Sequence, residues 1–240
     1  METRNLILAS LAPPEEALLR PHLKAVPLPL KTTLVRPDED ITHVYFIERG
    51  CASLINILPD GEAVEVGTIG NEGMVGTPVL MEAARMPLQC DVQIPGDGWR
   101  MPSGPFKEAV SRSDTLRGKL LRFTQAHFNQ VAQSAACNRL HTVEERCARW
   151  LLMCRDRVGD EFPLTQEYLA IMLGVRRASV TITAKLLQSA GFIRYTRGRI
   201  SILDAAGLED VACDCYRIGR DEFRRLIPGG NEYPPLKRTP

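Results

Sequence analysis

Residues 165–193 read TQEYLAIMLGVRRASVTITAKLLQSAGFI. Leu169, Ala170 and Leu173 recur at the spacing of one helix face, which predicts a helix over 165–173. Gly174 ends it, as a residue tolerating positive φ does at a sharp inter-helix turn, and Val175 follows as an apolar plug. A second helix over 177–190 buries Val180, Ala184 and Leu187 and exposes Arg177, Ser179, Thr181 and Lys185. Two short helices joined at a glycine, the second carrying cations outward, form a helix-turn-helix. In that arrangement the second helix lies in the DNA major groove and its first residues reach base edges.

Charge and the next segment agree with this. Residues 165–200 hold six basic side chains (Arg176, Arg177, Lys185, Arg194, Arg197, Arg199) against Glu167 alone, a local net of +5. Residues 193–202 alternate around Gly198 as a wing hairpin would, with Arg197 and Arg199 flanking the turn where phosphate would lie. The whole 240-residue chain has 30 Lys+Arg against 29 Asp+Glu, a net of +1 that by itself speaks against nucleic acid. Divided between 139 and 140, however, the first part carries −2 and the second +3. The positive charge is confined to one small surface.

Outward from the motif, Thr142-Val143-Glu144-Glu145 has the form of a capping box and starts a helix running to about Arg157, after which Gly159 and Pro163 break the chain. Upstream, 106–136 has no proline and only Gly118 as glycine, and predicts one extended helix. Its apolar residues form two stripes, Leu116, Leu120, Phe123, His127 and Leu121, Phe128, Val131, Ala135. Such a helix packs on its own domain and on a partner helix together, or it buries one broad stripe within a single chain; periodicity leaves both open. Between about 30 and 101 lie short strand-like runs, Leu34-Val35, 44–47, 53–57, 63–66 and 90–94. Turn signals separate them at Arg49-Gly50, Pro59-Asp60-Gly61 and 95–98, and short strands so spaced predict a sandwich or barrel-like roll. A short helical pattern over 6–24 precedes them.

Composition bounds the rest. With 44% hydrophobic and 25% charged residues the chain is not disordered, collagen-like or mucin-like. Seven cysteines at irregular spacing, with no CxxC, do not form an oxidised secreted scaffold. No apolar stretch reaches the length of a membrane span, so a soluble cytoplasmic protein without membrane contact is expected. No Gly-x-Ser-x-Gly, P-loop, HExxH or paired-carboxylate motif points to an enzyme, and no cofactor is expected.

The segments His43–Gly50, the Ser53 strand, Pro59-Asp60-Gly61, Gly67 to Gly76 and the winged helix-turn-helix together resemble the cyclic-AMP receptor protein/fumarate-nitrate regulator (Crp–Fnr) family of bacterial transcription factors, over about residues 6–215. The resemblance implies an α+β chain. A cyclic-nucleotide-binding-like β-roll sensor would occupy 1–110, a long dimerisation helix 111–139 and a winged helix-turn-helix 140–227; beyond them, Pro228-Gly229-Gly230 and Pro234-Pro235 predict a disordered tail over 228–240. It implies a homodimer on a two-fold symmetric operator in double-stranded DNA, with RNA polymerase as a further partner and a small-molecule effector at the roll. Activator or repressor status is not encoded legibly.

In the family's recognition helix Arg177 matches the position suited to guanine and Ser179 the hydroxyl position. Ala178 stands where the family has Glu, and Ile182 where it has a second Arg, so the usual operator is not implied. Arg176, Thr181 and Lys185 are additional contacts, Thr165 and Gln166 contact phosphate, and Arg197 and Arg199 serve the wing. Cyclic-nucleotide-binding members bind the cyclic phosphate with Gly-Glu, a short helix, and Arg followed by Ser or Thr. Here the candidate effector residues are Glu72, Gly73, Met74, Arg85 and Met86. Met74 stands at the carboxylate position and Met86-Pro87 replaces the hydroxyl residue, which argues against a cyclic nucleotide. No cysteine precedes Cys51, so iron–sulfur sensing of the family's oxygen-responsive kind is not supported. The histidines 22, 43, 127 and 141 read as scattered, structural or exposed, with haem or a redox-active thiol left open, and Cys213-Asp214-Cys215 reads first as an inert pair and second as a metal or thiol site. A different class of reading, a cyclic-nucleotide-binding signalling module with a helical protein-interaction tail, would need the cassette that these residues lack.

Overall fold

The computed structural model describes residues 2–227, so the disorder expected of 228–240 lies outside the described residues. Two short helices open it, α1 (Leu6–Ala9) and α2 (Pro13–Leu19). The buried Asn5 side chain accepts from the Leu8 N–H and donates to the carbonyls of Ile47 (3.0 Å) and Gly73 (2.7 Å), which pins the N-terminus to the strands that follow.

Those strands are β1 (Lys24–Leu28), β2 (Thr33–Val35), β3 (His43–Ile57), β4 (Ala63–Ile69), β5 (Met74–Val75) and β6 (Gln89–Pro102), with α3 (Thr77–Leu80) between the last two. They pair antiparallel in the order β1-β6-β3-β4, with β2 on β6 and β5 on β3, and make the N-terminal roll. Two turn expectations are corrected. Arg49-Gly50 and residues 95–98 do not end strands; each lies inside one long strand, and β3 and β6 face each other there across shifted register. A Cβ at Gly96 would sit 2.0 Å from the Arg49 carbonyl oxygen, and one at Gly50 2.5 Å from that of Ile94. The glycines mark backbone contact at a bulge rather than a reversal. Strand β1, with Pro27 in it, was not legible as a strand; it is the edge, where a missing donor is tolerated.

The single helix expected over 106–136 is two, α4 (Ser103–Ser111) and α5 (Asp114–Leu140). Ser113 starts the second, its hydroxyl accepting from the Leu116 N–H at 3.1 Å. Leu116, Leu120, Phe123 and His127 of α5 are buried against the roll, with Phe123 and Leu120 fully enclosed in its core. Next comes α6 (Val143–Val158), started by the expected capping box in which Thr142 and Glu145 bond reciprocally.

The C-terminal unit contains β7 (Glu161–Pro163), α7 (Gln166–Leu173), α8 (Arg177–Ser189), β8 (Ile193–Thr196), β9 (Arg199–Ile202) and α9 (Ala205–Val211) around a second core that includes Trp150, Phe162, Leu169, Val180 and Leu187. Strand β7 pairs with β9, so Pro163 sits in an edge strand where the sequence reads only as a break. Last, α10 (Cys215–Leu226) runs back along α5 and sets Phe223 and Ile227 into the roll core. The architecture is α+β: roll, long helix, winged helix-turn-helix. No helix among the described residues is long and apolar enough to cross a membrane.

Candidate nucleic-acid interface

Four features set the helix-turn-helix. Thr165 caps α7, its hydroxyl accepting from the Tyr168 N–H at 3.1 Å. Gly174 adopts φ 59° and ψ 42°, the left-handed conformation that lets α7 end and α8 leave at an angle. Arg146 of α6 donates to the Leu173 carbonyl, satisfying one of the acceptors that a helix end leaves open. Across the turn, the Thr181 hydroxyl donates to Gln166 Oε1 at 2.9 Å and locks the two helices face to face.

On this frame Arg176, Arg177 and Lys185 are exposed, as are Arg194, Arg197 and Arg199 of the wing. None of the six forms an ion pair among the described residues. Arg177 is the first residue of α8, where a side chain projects past the helix end. Arg197 (φ 49°) and Gly198 (φ 74°) form the two-residue turn between β8 and β9, and lift both wing arginines to the tip. Ser179 and Thr181 are half-buried, and the bond between Thr181 and Gln166 uses the hydroxyl hydrogen of one and Oε1 of the other, leaving the Gln166 amide NH2 outside it. Ile182 and Leu186, 60% and 53% exposed, continue a bare apolar strip from the exposed Ala178 along α8. Leu186 is the residue the sequence reading missed; a Leu on a predicted helix reads as core unless its angle from Ile182 is followed.

Behind this head lies a junction of buried polar groups joining α5 and α6 to the roll. Glu65 of β4 is buried, accepts from Trp150 Nε1 at 2.8 Å and from the Ser53 hydroxyl, and burial pushes its carboxyl up to about 7. Glu72 is fully buried; its Oε1 accepts from the Gly70 N–H (3.0 Å) and from Arg157 Nη2 (2.7 Å) and Nε (3.0 Å). His127 of α5 stacks on Phe123 at 5.8 Å between ring centres, and burial pulls its imidazole down to about 4, so it is neutral at pH 7. Gln130 accepts from the Thr68 N–H at 3.0 Å.

Two family models match the chain: the cyclic nucleotide-binding domain over residues 25–113 and the Crp-like helix-turn-helix domain over 145–211, together more than half its length. The chain belongs to the Crp–Fnr family. No curated protein matches it. Solved structures similar to it include FixK2 from Bradyrhizobium japonicum (16% identity, TM-score 0.68, covering 80% of this chain and 98% of that one). Another is TTHB099, a CRP-family transcriptional regulator from Thermus thermophilus (21%, 0.62, 79% and 96%). A third is the c-di-GMP responsive regulator CLP from Xanthomonas campestris (15%, 0.59, 80% and 99%). At these identities they bear on the fold. With both domain models matched, the chain is a DNA-binding transcriptional regulator of the Crp–Fnr type.

Within the Crp–Fnr roll, the candidate effector residues do not converge. Glu72 turns inward to Arg157 of α6, Gly73 lies flat against the Phe123 ring and Met74 is fully buried in β5. Arg85 is exposed and paired with Asp40 at 2.6 Å, while Met86 is half-buried. Helix α3, where a phosphate-binding helix start would fall, is a single turn with Pro78 in it. The histidines and cysteines also depart from the scattered reading. The structure brings Cys213 and Cys215 together with Cys137 and His141, although 76 positions separate Cys137 from Cys213 and 74 separate His141 from Cys215.

Proposed function

We propose that this Crp–Fnr regulator binds a two-fold symmetric operator as a homodimer, reads it through α8, and answers to an effector other than a cyclic nucleotide. The carrying observation is the set of six exposed, unpaired cations on the second helix and wing of a helix-turn-helix with a left-handed glycine turn. Arg177 supplies a bidentate donor to guanine O6 and N7. Ser179, Arg176, Thr181 and Lys185 add contacts along the groove, with Thr165 and Gln166 at the phosphate-facing start of α7. Arg197 and Arg199 meet phosphate from the wing. Ala178, Ile182 and Leu186 offer apolar surface, which suits thymine methyl groups, where at 178 and 182 the family usually places charges.

Support for the dimer comes from α5. Its second stripe leaves Leu121 47% and Phe128 64% exposed, with Ala135 bare beside them, so one chain alone does not bury it. A partner α5 packed in register covers that face and spaces two recognition helices about one helical turn of DNA apart. The case against a cyclic nucleotide rests on the committed Glu72, the exposed Arg85–Asp40 pair and the Pro87 that removes a backbone donor. The protein is then a cytoplasmic regulator that works beside RNA polymerase rather than an enzyme.

Titration of mixed-sequence duplexes by fluorescence anisotropy across a salt series tests the electrostatic part. Replacing Arg197 and Arg199 by Ala lowers the slope of log K against log salt by about 1 per lost phosphate contact. An unchanged slope removes the wing from the interface.

A further inference from the structure

Cys137 and His141 stand one helical turn apart at the end of α5, and Cys213 and Cys215 straddle the start of α10. All four residues lie outside the two stretches that the family models match. Their ligand atoms all fall within 4.8 Å of one another. Cys137 Sγ is 3.5 Å from Cys213 Sγ, and Cys215 Sγ is 3.5 Å from His141 Nδ1. A tetrahedral zinc with Zn–S of about 2.3 Å and Zn–N of about 2.0 Å sets its ligand atoms about 3.8 Å (S to S) and about 3.5 Å (S to N) apart. The two separations of 3.5 Å lie close to those edges, and the S–S one exceeds the covalent distance of about 2.0 Å by too much for a disulfide.

We propose that Cys137, His141, Cys213 and Cys215 bind one zinc ion per chain as a closed Cys3His site that ties the end of α5 to the start of α10. The donor set selects the metal: three thiols and an imidazole suit zinc and disfavour hard cations such as magnesium or calcium. Four protein ligands leave no open position, so the site is structural rather than hydrolytic. The three sulfurs are buried in a small cluster of their own, apart from the two main cores.

The surroundings fit a thiolate-rich ion. Zinc with three thiolates carries a net charge of −1, and α6 brings Arg146 and Arg149 within electrostatic reach of Cys137. Arg149 is buried, and the Nε atoms of both arginines have no hydrogen-bond partner among the described residues. Gln133 Nε2 approaches Cys215 Sγ at 3.0 Å, the kind of N–H donor that steadies a metal-bound sulfur. The location has consequences for the fold. His141 is itself the joint between α5 and α6, in an extended conformation of φ −113° and ψ 153°. A metal there fixes the angle at which the long helix hands over to the DNA-reading unit, and loss of zinc or oxidation of its thiols frees that angle.

The test uses the full chain, purified without a histidine tag under reducing conditions from zinc-supplemented cells, with metal content read by plasma mass spectrometry. The expected result is about one zinc per chain, falling roughly tenfold or more in the C213S/C215S double variant and retained in H141C, which replaces one good zinc ligand by another. Folding losses in the double variant are bypassed by titrating cobalt(II) into chelator-treated wild-type protein. The site gives the visible ligand-field bands of tetrahedral cobalt-thiolate, and zinc abolishes them. Zinc content equal in wild type and C213S/C215S overturns the proposal. So does the absence of cobalt bands, or a stoichiometric Cys137–Cys213 disulfide in place of metal.

Discussion

Arg177 and Glu65 show what single side chains contribute. Arg177 has no ion pair among the described residues and stands at the start of α8, so the loss of its guanidinium removes one directional contact and little else. Arg177→Ala is expected to cost about 1–3 kcal/mol on the preferred operator and to relax preference at one base pair, measured by competition gel shift. Glu65 is a stability matter. Its carboxyl ordinarily titrates at 4.5 but is pushed up to about 7 by burial, so the unfolded chain ionises first as pH rises. Its contribution is therefore complete below about 4.5, declines as pH climbs, and is gone above about 7. Glu65→Gln keeps an acceptor for Trp150 and removes the charge, its amide NH2 facing the Ser53 oxygen in place of the carboxyl oxygen that accepted from that hydroxyl. The unfolding free energy of the variant, from denaturant titration, should thus gain on wild type as pH rises from about 5 to about 8, by on the order of 3 kcal/mol at most. His127, pulled down from 6.5 to about 4, acts in the opposite sense, losing its contribution as pH falls through that window, and the difference between the two proteins cancels it. A difference flat with pH contradicts a buried neutral Glu65.

Among elements, α5 carries the assembly claim. Its first stripe is consumed by the roll, and its second leaves Phe128 bare. Phe128→Glu should shift the chain from dimer to monomer in analytical ultracentrifugation while leaving the roll folded, because the substituted position is solvent-facing within one chain. Both stripes were legible from their 3.6-residue period. The break at Ser113 was not, since a cap within a helix-compatible run is decided by the packing of α4 beneath the roll. The winged motif was the most legible part, because its glycine turn, cap and two-residue wing turn are local chemistry. The roll was legible as a class but not in its strand lengths. Gly50 and Gly96 read locally as turns, yet serve a contact between residues almost fifty positions apart. The same holds for the site around Cys137 and Cys213, which sequence separation hides and the packing of α10 on α5 reveals.

For the whole molecule, the arrangement of charge and joints gives the logic. A mildly acidic sensor half is bonded to a basic reading head through Glu72–Arg157 and Glu65–Trp150, both buried. Both bonds end on α6, which begins at the joint with α5 and precedes α7 and α8. That central claim, a two-fold DNA reader whose specificity runs through α8, is tested most directly by selecting bound duplexes from a random pool and sequencing them. The account predicts a two-fold symmetric motif with half-sites about one helical turn apart. It also predicts a guanine in each half-site whose enrichment disappears in Arg177→Ala. A motif without symmetry, or the same guanine enriched by the variant, would contradict it.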